Sequence, residues 1–464
     1  MLEIAILRTS TRSIHSTALV LGLALSSLLT LGCSEDDPPP LQPVDRFASL
    51  TVRAQEVREL PLLRDVPIDT LTRDEYVARV DAQVQEIDDQ ELEELADTYG
   101  RLGFFDDTID LRSTLSGSRD WVGASYALVE ERIILIGNVP DETVIHELVH
   151  ALQDQHFDLG TYDDTETSDA FLARRAAVEG DAELAAGRFA LNETYGLDLD
   201  RLDWSQYYPT LVDHGGEILA ESTLPVFFAA YPSFVYTTGL IYCAHNLTGA
   251  SLADPGPTQS FPYTWSREDA LFGERPPAST LQVMTLDELG QGAVVGLDDV
   301  PSPLTERFER VDWDVLGAYY TYLLFYSALE PTEIDDALGL GWRGDRALFV
   351  RDRDTSAVGV VWTSQWSSAE TAQRAEAALR AIHGITADAV DPSLGTAANG
   401  EVVWLERADA KIVFLKNIDA ASAPELASAA LSVTAPRIAP PRVRPPLDRR
   451  LRRDLRQALR TAGN

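Results

Sequence analysis

The chain has 464 residues, a length that accommodates two domains or one large one. It is 45% hydrophobic and 24% charged, a globular balance that excludes disorder over most of its length. The 38 Lys and Arg against 74 Asp and Glu give a net charge of −36, so we expect no nucleic-acid partner. Two cysteines, Cys33 and Cys243, exclude a disulfide framework and cysteine-rich metal sites.

The first 33 residues have the pattern of a targeting segment. Their apolar run, residues 17–31, has 15 residues, fewer than the ~20 that a membrane-spanning helix needs. The run ends in Leu-Thr-Leu-Gly-Cys at residues 29–33, which resembles a bacterial lipoprotein signal. The resemblance implies export and acylation of Cys33, with palmitate among the chains, so that the lipid anchors the protein in the cell envelope. It favours the outer membrane over the inner one because Ser34 follows the cysteine; an ordinary secretory signal is the alternative.

The segments that follow predict a linker, helices and a strand. Residues 34–48 are acidic and then proline-rich, which predicts an extended linker. A Thr-Arg-Asp-Glu capping box opens residues 72–95, where apolar positions at helical spacing predict one or two helices. The β-rich run at residues 132–136 predicts a strand, and residues 138–155 predict a helix capped by Asn138. An alanine-rich helix is predicted over residues 168–195, and a buried helix over residues 314–329.

The sequence pattern changes from Gly341 onwards. Strands are predicted over residues 346–351, 358–366, 401–407 and 411–418, and helices over residues 368–383 and 423–433. This β-β-α-β-β-α order predicts a small α+β domain over residues 337–433. We assign His383, Lys411 and Lys416 to its surface. Residues 434–464 are first proline-rich and then basic with a leucine stripe, which predicts a linker and an amphipathic tail.

The strongest chemical motif is His146-Glu147-Leu148-Val149-His150, which is HExxH on a predicted helix. Four residues advance a helix by ~400°, so both imidazoles lie on one face and can bind one zinc ion. Glu147 lies beside them and can accept a proton from metal-bound water. The alternative is a pair of solvated or hydrogen-bonded histidines.

A third ligand has two candidates, of which His156 is the first. It stands where HExxHxxGxxH proteases place a third histidine, but those proteins need glycine where this chain has Gln153. On a continuous helix, His156 lies ~240° around from His150, which predicts a role behind the ligands or in packing.

Glu179 is the second candidate and the one we favour. It lies in the alanine-rich helix, where Gly180 is explained if that helix passes close to the histidine-bearing helix. Glu179 and Glu183 are one turn apart, so one can bind the metal while the other accepts the free N–H of a ligand imidazole. Asp181 points elsewhere on the helix and stays open as a further partner.

HExxH with a downstream helix glutamate resembles the gluzincin branch of the zinc metallopeptidases. The sequence is more similar to a poorly characterised family of exported bacterial and archaeal proteins. Its signature resembles residues 146–159, HELVHALQDQHFDL, followed by Glu-Gly-Asp-Ala at residues 179–182. The resemblance implies an α+β protein, with a mainly helical zincin-like catalytic domain and a small sheet over residues 49–336, followed by the small α+β domain. It implies a zinc metalloendopeptidase acting on peptides or proteins.

The predicted mechanism uses zinc held by His146, His150 and Glu179, with one position open for water. Glu147 then acts as the general base on zinc-bound water, and the hydroxide attacks a peptide carbonyl. In the gluzincin-like folds that the sequence resembles, an edge strand beside the active helix pairs with extended substrate, and residues 132–136 are the candidate for it here.

The remaining roles are less sharply defined by the sequence. An aromatic stretch offers four candidate donors to an oxyanion, although a role in the core explains each of them better: Tyr231, Tyr236, Tyr242 and His245. Two other functions stay open. One is a catalytically inactive zinc-binding surface lipoprotein; the other is a three-histidine metalloprotease that uses His146, His150 and His156. The oligomeric state is not defined by the sequence.

Overall fold

A computed structural model describes residues 43–106, 109–117, 123–199, 202, 207–208, 210–211, 225–248, 263–326 and 340–433. The predicted signal segment with Cys33, the linker up to residue 42 and the tail over residues 434–464 lie outside the described residues. Across the described ranges, no helix is long and apolar enough to cross a bilayer.

The chain alternates short strands with helices of very different length. The helices are α1 (Pro43–Arg58), α2 (Arg73–Gln85), α3 (Asp89–Leu95), α4 (Leu111–Gly117), α5 (Asp141–Phe157), α6 (Leu159–Tyr162), α7 (Ser168–Tyr195), α8 (Val226–Pro232), α9 (Gly239–Thr248), α10 (Ser266–Phe272), α11 (Thr280–Met284), α12 (Gly317–Tyr326), α13 (Ala369–Ile382) and α14 (Ala423–Ser432). The strands are β1 (Ile68–Leu71), β2 (Ala124–Ala127), β3 (Arg132–Ile136), β4 (Ala293–Val294), β5 (Phe308–Asp314), β6 (Trp342–Asp352), β7 (Val358–Trp366), β8 (Thr386–Ala387), β9 (Leu394–Thr396), β10 (Val402–Ala408) and β11 (Lys411–Lys416). The predicted α+β class is confirmed.

The first sheet has three strands in the order β1-β3-β2. Strand β3 pairs in parallel with β1 and antiparallel with β2, so both of its edges are occupied. The prediction that residues 132–136 form an edge strand is therefore wrong. Four consecutive buried residues, Ile133 to Ile136, are the pattern of a central strand covered on both faces.

The second sheet has eight strands in the order β4-β6-β7-β11-β10-β9-β8, with β5 paired to β6. The antiparallel hairpins β6-β7 and β10-β11 meet where β7 pairs with β11. Strands β4 and β5 precede residue 337, so the sheet extends beyond the segment predicted for the small domain. Phe308 and Trp313 anchor β5 because both side chains are buried in the core.

Of the three residues assigned to the surface in this part of the chain, two are buried. His383 is 6% exposed, and its ring stacks over Phe414 with centroids 4.7 Å apart. Lys416 is buried and reaches Glu401 at 3.2 Å. Lys411 is partly exposed, and its ammonium donates to the Leu431 carbonyl.

A helical layer holds α5 and α7 against each other, with α1 packed on both and α9 on α7. Helix α1 begins at Pro43, so residues 43–48 are not the predicted linker. Leu50, Ala54 and Val57 are buried at helical spacing, and this apolar face docks α1 on the layer.

The ends of the two long helices follow local rules. Thr167 caps α7 by accepting from the Ala170 N–H, and Gly196 ends it in the left-handed region, at φ 62°. Helix α5 starts after Pro140 without a side-chain cap, so Asn138 does not cap it as predicted. Asp158 ends α5 at φ 53° and caps α6.

Candidate metal centre

Helices α5 and α7 bring three side chains together at their crossing. Nε2 of His150 lies 2.9 Å from Nε2 of His146 and 3.0 Å from Oε2 of Glu179. Nε2 of His146 lies 3.3 Å from the same carboxylate oxygen. All three side chains are buried, and their ligand atoms face one another.

These spacings fit a tetrahedral zinc ion. Bonds of ~2.0–2.1 Å to N and O place neighbouring ligand atoms about 3.3 Å apart. The observed separations of 2.9–3.3 Å differ from this by a few tenths of an ångström. Two imidazoles and one carboxylate also match the donor set of a catalytic zinc site, which leaves a fourth position free for water.

Each histidine presents the correct nitrogen to this centre. Nδ1 of His146 lies 3.1 Å from Oε1 of Glu183, and Nδ1 of His150 lies 2.8 Å from Oε1 of Gln153. Oxygen acceptors at both Nδ1 atoms favour protonated Nδ1, which leaves the Nε2 lone pairs directed at the centre. Glu183 thus lies beside a ligand ring, where its spacing predicts it, whereas Gln153 was missed.

Burial acts on the pKa of both rings, and at His146 Glu183 opposes it. Burial lowers the pKa of His150 to about 3, so this ring is neutral at neutral pH, as a ligand must be. Burial also disfavours the charged form of His146, but the hydrogen bond and negative charge of Glu183 outweigh it and raise the pKa of His146.

Arg175 holds the other oxygen of Glu179. One guanidinium nitrogen donates to Oε1 of Glu179, and Nε donates to the Tyr231 hydroxyl at 3.0 Å. A third nitrogen lies 3.4 Å from Asp163. Because Oε1 is occupied, Glu179 offers a single oxygen, Oε2, to the histidines. Arg175 was missed, although its position one turn before Glu179 was a usable signal.

Glu147 is 2% exposed, and its Oε2 has no hydrogen-bond partner. Leaving a buried carboxylate oxygen unpaired is costly, so such an atom in a native site calls for a functional explanation. Its charge acts towards a higher pKa on both ligand histidines, and it adds to the rise that burial causes in the pKa of Tyr236.

Of the four aromatic-stretch candidates, Tyr236 lies against a ligand. Its ring centroid is 6.0 Å from that of His146, and it belongs to a π-helical segment, Ser233–Thr238. Tyr231 instead accepts from Arg175, and Tyr242 reaches Asp287 at 3.4 Å. Tyr242 and His245 both lie on α9.

His156 and Asp181 have other partners. Nε2 of His156 lies 2.7 Å from the Pro61 carbonyl, so this ring ties α5 to the segment after α1 and is not one of the clustered ligands. This placement does not support the three-histidine alternative. Asp181 is buried, and one oxygen accepts from Gln153 and from Arg58.

Gly180 allows a close helix contact, but not the predicted one. A Cβ on Gly180 would lie 2.3 Å from the backbone of Gly239, at the start of α9. The close neighbour is therefore α9 rather than the histidine-bearing helix α5.

The geometry thus defines an α+β protein with a buried His-His-Glu group suited to a metal ion. A family profile described as "Domain of unknown function (DUF8575)" matches residues 306–427, from just before β5 into α14. That match covers most of the second sheet and none of the clustered ligands. No curated protein and no solved structure matches the chain.

Proposed function

We propose that the protein is a zinc-dependent metallopeptidase, exported and held at the cell envelope by lipid on Cys33. The observation that carries this proposal is the approach of three ligand atoms to within 2.9–3.3 Å, beside the buried and unpaired carboxylate oxygen of Glu147. The substrate class is a peptide or protein.

Zinc at such a site supplies a Lewis acid that lowers the pKa of water towards ~7 and polarises a carbonyl. Glu147 accepts the proton from the attacking water, because its free oxygen has no competing donor in the fold. The same carboxyl group then delivers the proton to the leaving amine. Glu183 and Gln153 keep the two Nδ1 protons occupied, so the imidazoles do not compete for it.

An edge strand next to α5 gives an extended substrate somewhere to pair. Strand β2 bonds to β3 on one side, and it packs against α5, where the Tyr126 hydroxyl donates to Asp154 at 2.8 Å. Its backbone supports substrate addition in place of β3, whose two edges are occupied. Among the aromatic-stretch residues, Tyr236 is our candidate donor to a developing oxyanion because its ring lies beside His146.

Glu147→Gln tests the chemistry, because the amide keeps the shape of the side chain but cannot accept the proton. We expect one zinc per chain to be retained and the turnover of a quenched-fluorescent peptide library to fall ~10²–10⁴-fold. Glu142→Gln, on the first turn of the same helix, is the matched control and keeps the parent rate.

Two results would contradict the proposal. A Glu147→Gln protein that cleaves at the parent rate would remove the general base. A parent protein that binds one zinc yet cleaves no member of the library would instead favour an inactive zinc-binding lipoprotein.

A further inference from the structure

The side chain of Gln153 is held in one orientation behind His150. Its amide nitrogen donates to the Val178 carbonyl at 3.0 Å and to Oδ2 of Asp181 at 2.7 Å. Both amide hydrogens are thus used, and Oε1 faces Nδ1 of His150 at 2.8 Å. A flipped amide would place its oxygen against a carbonyl and a carboxylate, so that orientation is strongly disfavoured.

This fixed orientation determines the tautomer of His150. Oε1 of Gln153 can only accept, so Nδ1 of His150 must carry the proton and Nε2 must present its lone pair. At His146, the carboxylate of Glu183 lies next to Nδ1 and favours the same tautomer directly. At His150, a neutral amide favours this tautomer, and that amide is itself polarised by the carboxylate of Asp181.

The carboxylate of Asp181 links Gln153 to Arg58. Oδ2 accepts from Gln153 and from Nε of Arg58 at 2.8 Å, whereas Oδ1 has no hydrogen-bond partner. Asp181 and Arg58 are both 0% exposed. A buried carboxylate needs its counter-charge, because removal of one partner leaves an uncompensated charge in the interior.

Arg58 is the last residue of α1, and it is fixed from several sides. A second guanidinium nitrogen donates to Asp269 at 2.8 Å, and the guanidinium lies 4.7 Å from the ring centre of Trp265. Helix α1 therefore supplies the charge that completes the hydrogen-bond chain ending at His150.

We propose that Arg58, Asp181 and Gln153 form a relay of positioning residues that fixes His150 as a metal ligand. This inference rests on the metal-binding part of the proposed function and not on peptidase activity. It makes helix α1 a component of the metal centre, although α1 contributes no ligand.

The test measures zinc affinity of the full chain by chelator competition, together with the visible spectrum of the Co²⁺ form. Gln153→Met keeps the side-chain volume but removes the acceptor for Nδ1 of His150. We expect zinc affinity to fall ~10–100-fold and the Co²⁺ bands to shift. Asp181→Asn leaves the amide unpolarised and is expected to weaken zinc binding in the same direction.

Gln155→Met is the matched control on the same helix. The Gln155 amide also bridges α5 to the segment after α1, accepting from the Leu63 N–H at 2.7 Å and donating to the Arg64 carbonyl at 2.9 Å. It touches no ligand, so its loss should leave zinc affinity and the Co²⁺ spectrum unchanged.

The outcomes separate the relay from the proposed function. Gln153→Met with zinc affinity within twofold of the parent would overturn the relay, as would an equal loss in Gln155→Met. If Gln153→Met does not fold, Asp181→Asn decides, and parent affinity in that variant overturns the relay. A parent protein that binds no zinc would overturn the metal-binding function itself.

Discussion

Gly180 and Gly239 meet backbone to backbone where α7 crosses α9. A Cβ on Gly180 would lie 2.3 Å from the carbonyl carbon and oxygen of Gly239, and a Cβ on Gly239 would lie 2.3 Å from the Ala176 carbonyl oxygen. Neither contact can be relieved by rotating a side chain. Because Gly180 directly follows Glu179, this contact also sets how deeply the ligand-bearing turn of α7 sits in the helical layer.

Gly180→Ala should therefore destabilise the protein, although alanine is the better helix former by ~1 kcal/mol. Overpacking of a tight interface costs ~1–3 kcal/mol, and here the obstacle is backbone. Urea unfolding should show a lower midpoint than the parent. Gly273→Ala is the control, since a Cβ there meets nothing within 4 Å. A Gly180→Ala protein as stable as the parent would contradict this view of the crossing.

The choice of third ligand gives a second prediction. Glu179→Gln keeps the side-chain shape but loses the anionic oxygen at 3.0 Å from His150, so zinc affinity should fall by more than the ~10–100-fold typical of outer partners. His156→Ala removes the contact with the Pro61 carbonyl and no clustered ligand, so it should cost ~1 kcal/mol of stability and no zinc. The zinc content of the Glu179→Gln and His156→Ala proteins after dialysis distinguishes the two candidate ligands. Loss of zinc in His156→Ala but not in Glu179→Gln would favour the three-histidine alternative.

A third prediction concerns the junction between α12 and the second sheet. Asp345 is buried and accepts four hydrogen bonds, from the N–H groups of Leu316 and Gly317 and from the indoles of Trp342 and Trp362. Asp345→Asn would turn an NH₂ group towards donors. We expect a loss of ~1–3 kcal/mol in the free energy of unfolding.

Asp409→Asn provides the comparison for that measurement. Asp409 is exposed at φ 55°, a conformation that asparagine tolerates, so its unfolding midpoint should stay at the parent value. Equal stability of the Asp345 and Asp409 variants would show that the four donors do not require a carboxylate.

The parts of the centre that the sequence predicted are those that depend on helix periodicity. The spacing of His146 and His150, and of Glu179 and Glu183, places each pair on one face of a helix whatever the tertiary structure. Arg58 and the position of β3 could not be inferred in that way. Arg58 meets Asp181 across 123 residues, and the order of strands in a sheet depends on non-local pairing.

Gln153 is an instructive intermediate case. Its position three residues after His150 on the same helix was available from the sequence, but its significance depends on Val178 and Asp181 fixing the amide. In the sequence it stood out only because glycine was absent there. Gln153 departs from the HExxHxxGxxH pattern, but in the folded protein it is a hydrogen-bond partner of the ligand His150.

The last prediction is a pH dependence of stability that arises behind the metal centre. Burial, and secondarily the charge of Asp181, raises the pKa of Glu268 to about 8. Oε1 of Glu268 accepts from Asn246 at 2.7 Å, and Oε2 has no hydrogen-bond partner. Because the folded pKa lies above the unfolded value near ~4.3, the neutral acid is favoured by folding, and that stabilisation is lost as pH rises towards 8.

Glu268→Gln should remove this dependence, since the amide is neutral at every pH. The unfolding free energies of the parent and the variant are measured on metal-free protein as a function of pH. Below about pH 4 the two curves should be parallel. Between about pH 4 and 8 the parent should lose up to ~1.4 kcal/mol per pH unit relative to the variant, the limit for one proton. The difference in unfolding free energy, variant minus parent, should therefore be larger at pH 8 than at pH 4. Parallel curves across the whole range would mean that Glu268 is already ionised in the folded protein, with Arg58 compensating both Asp181 and Glu268.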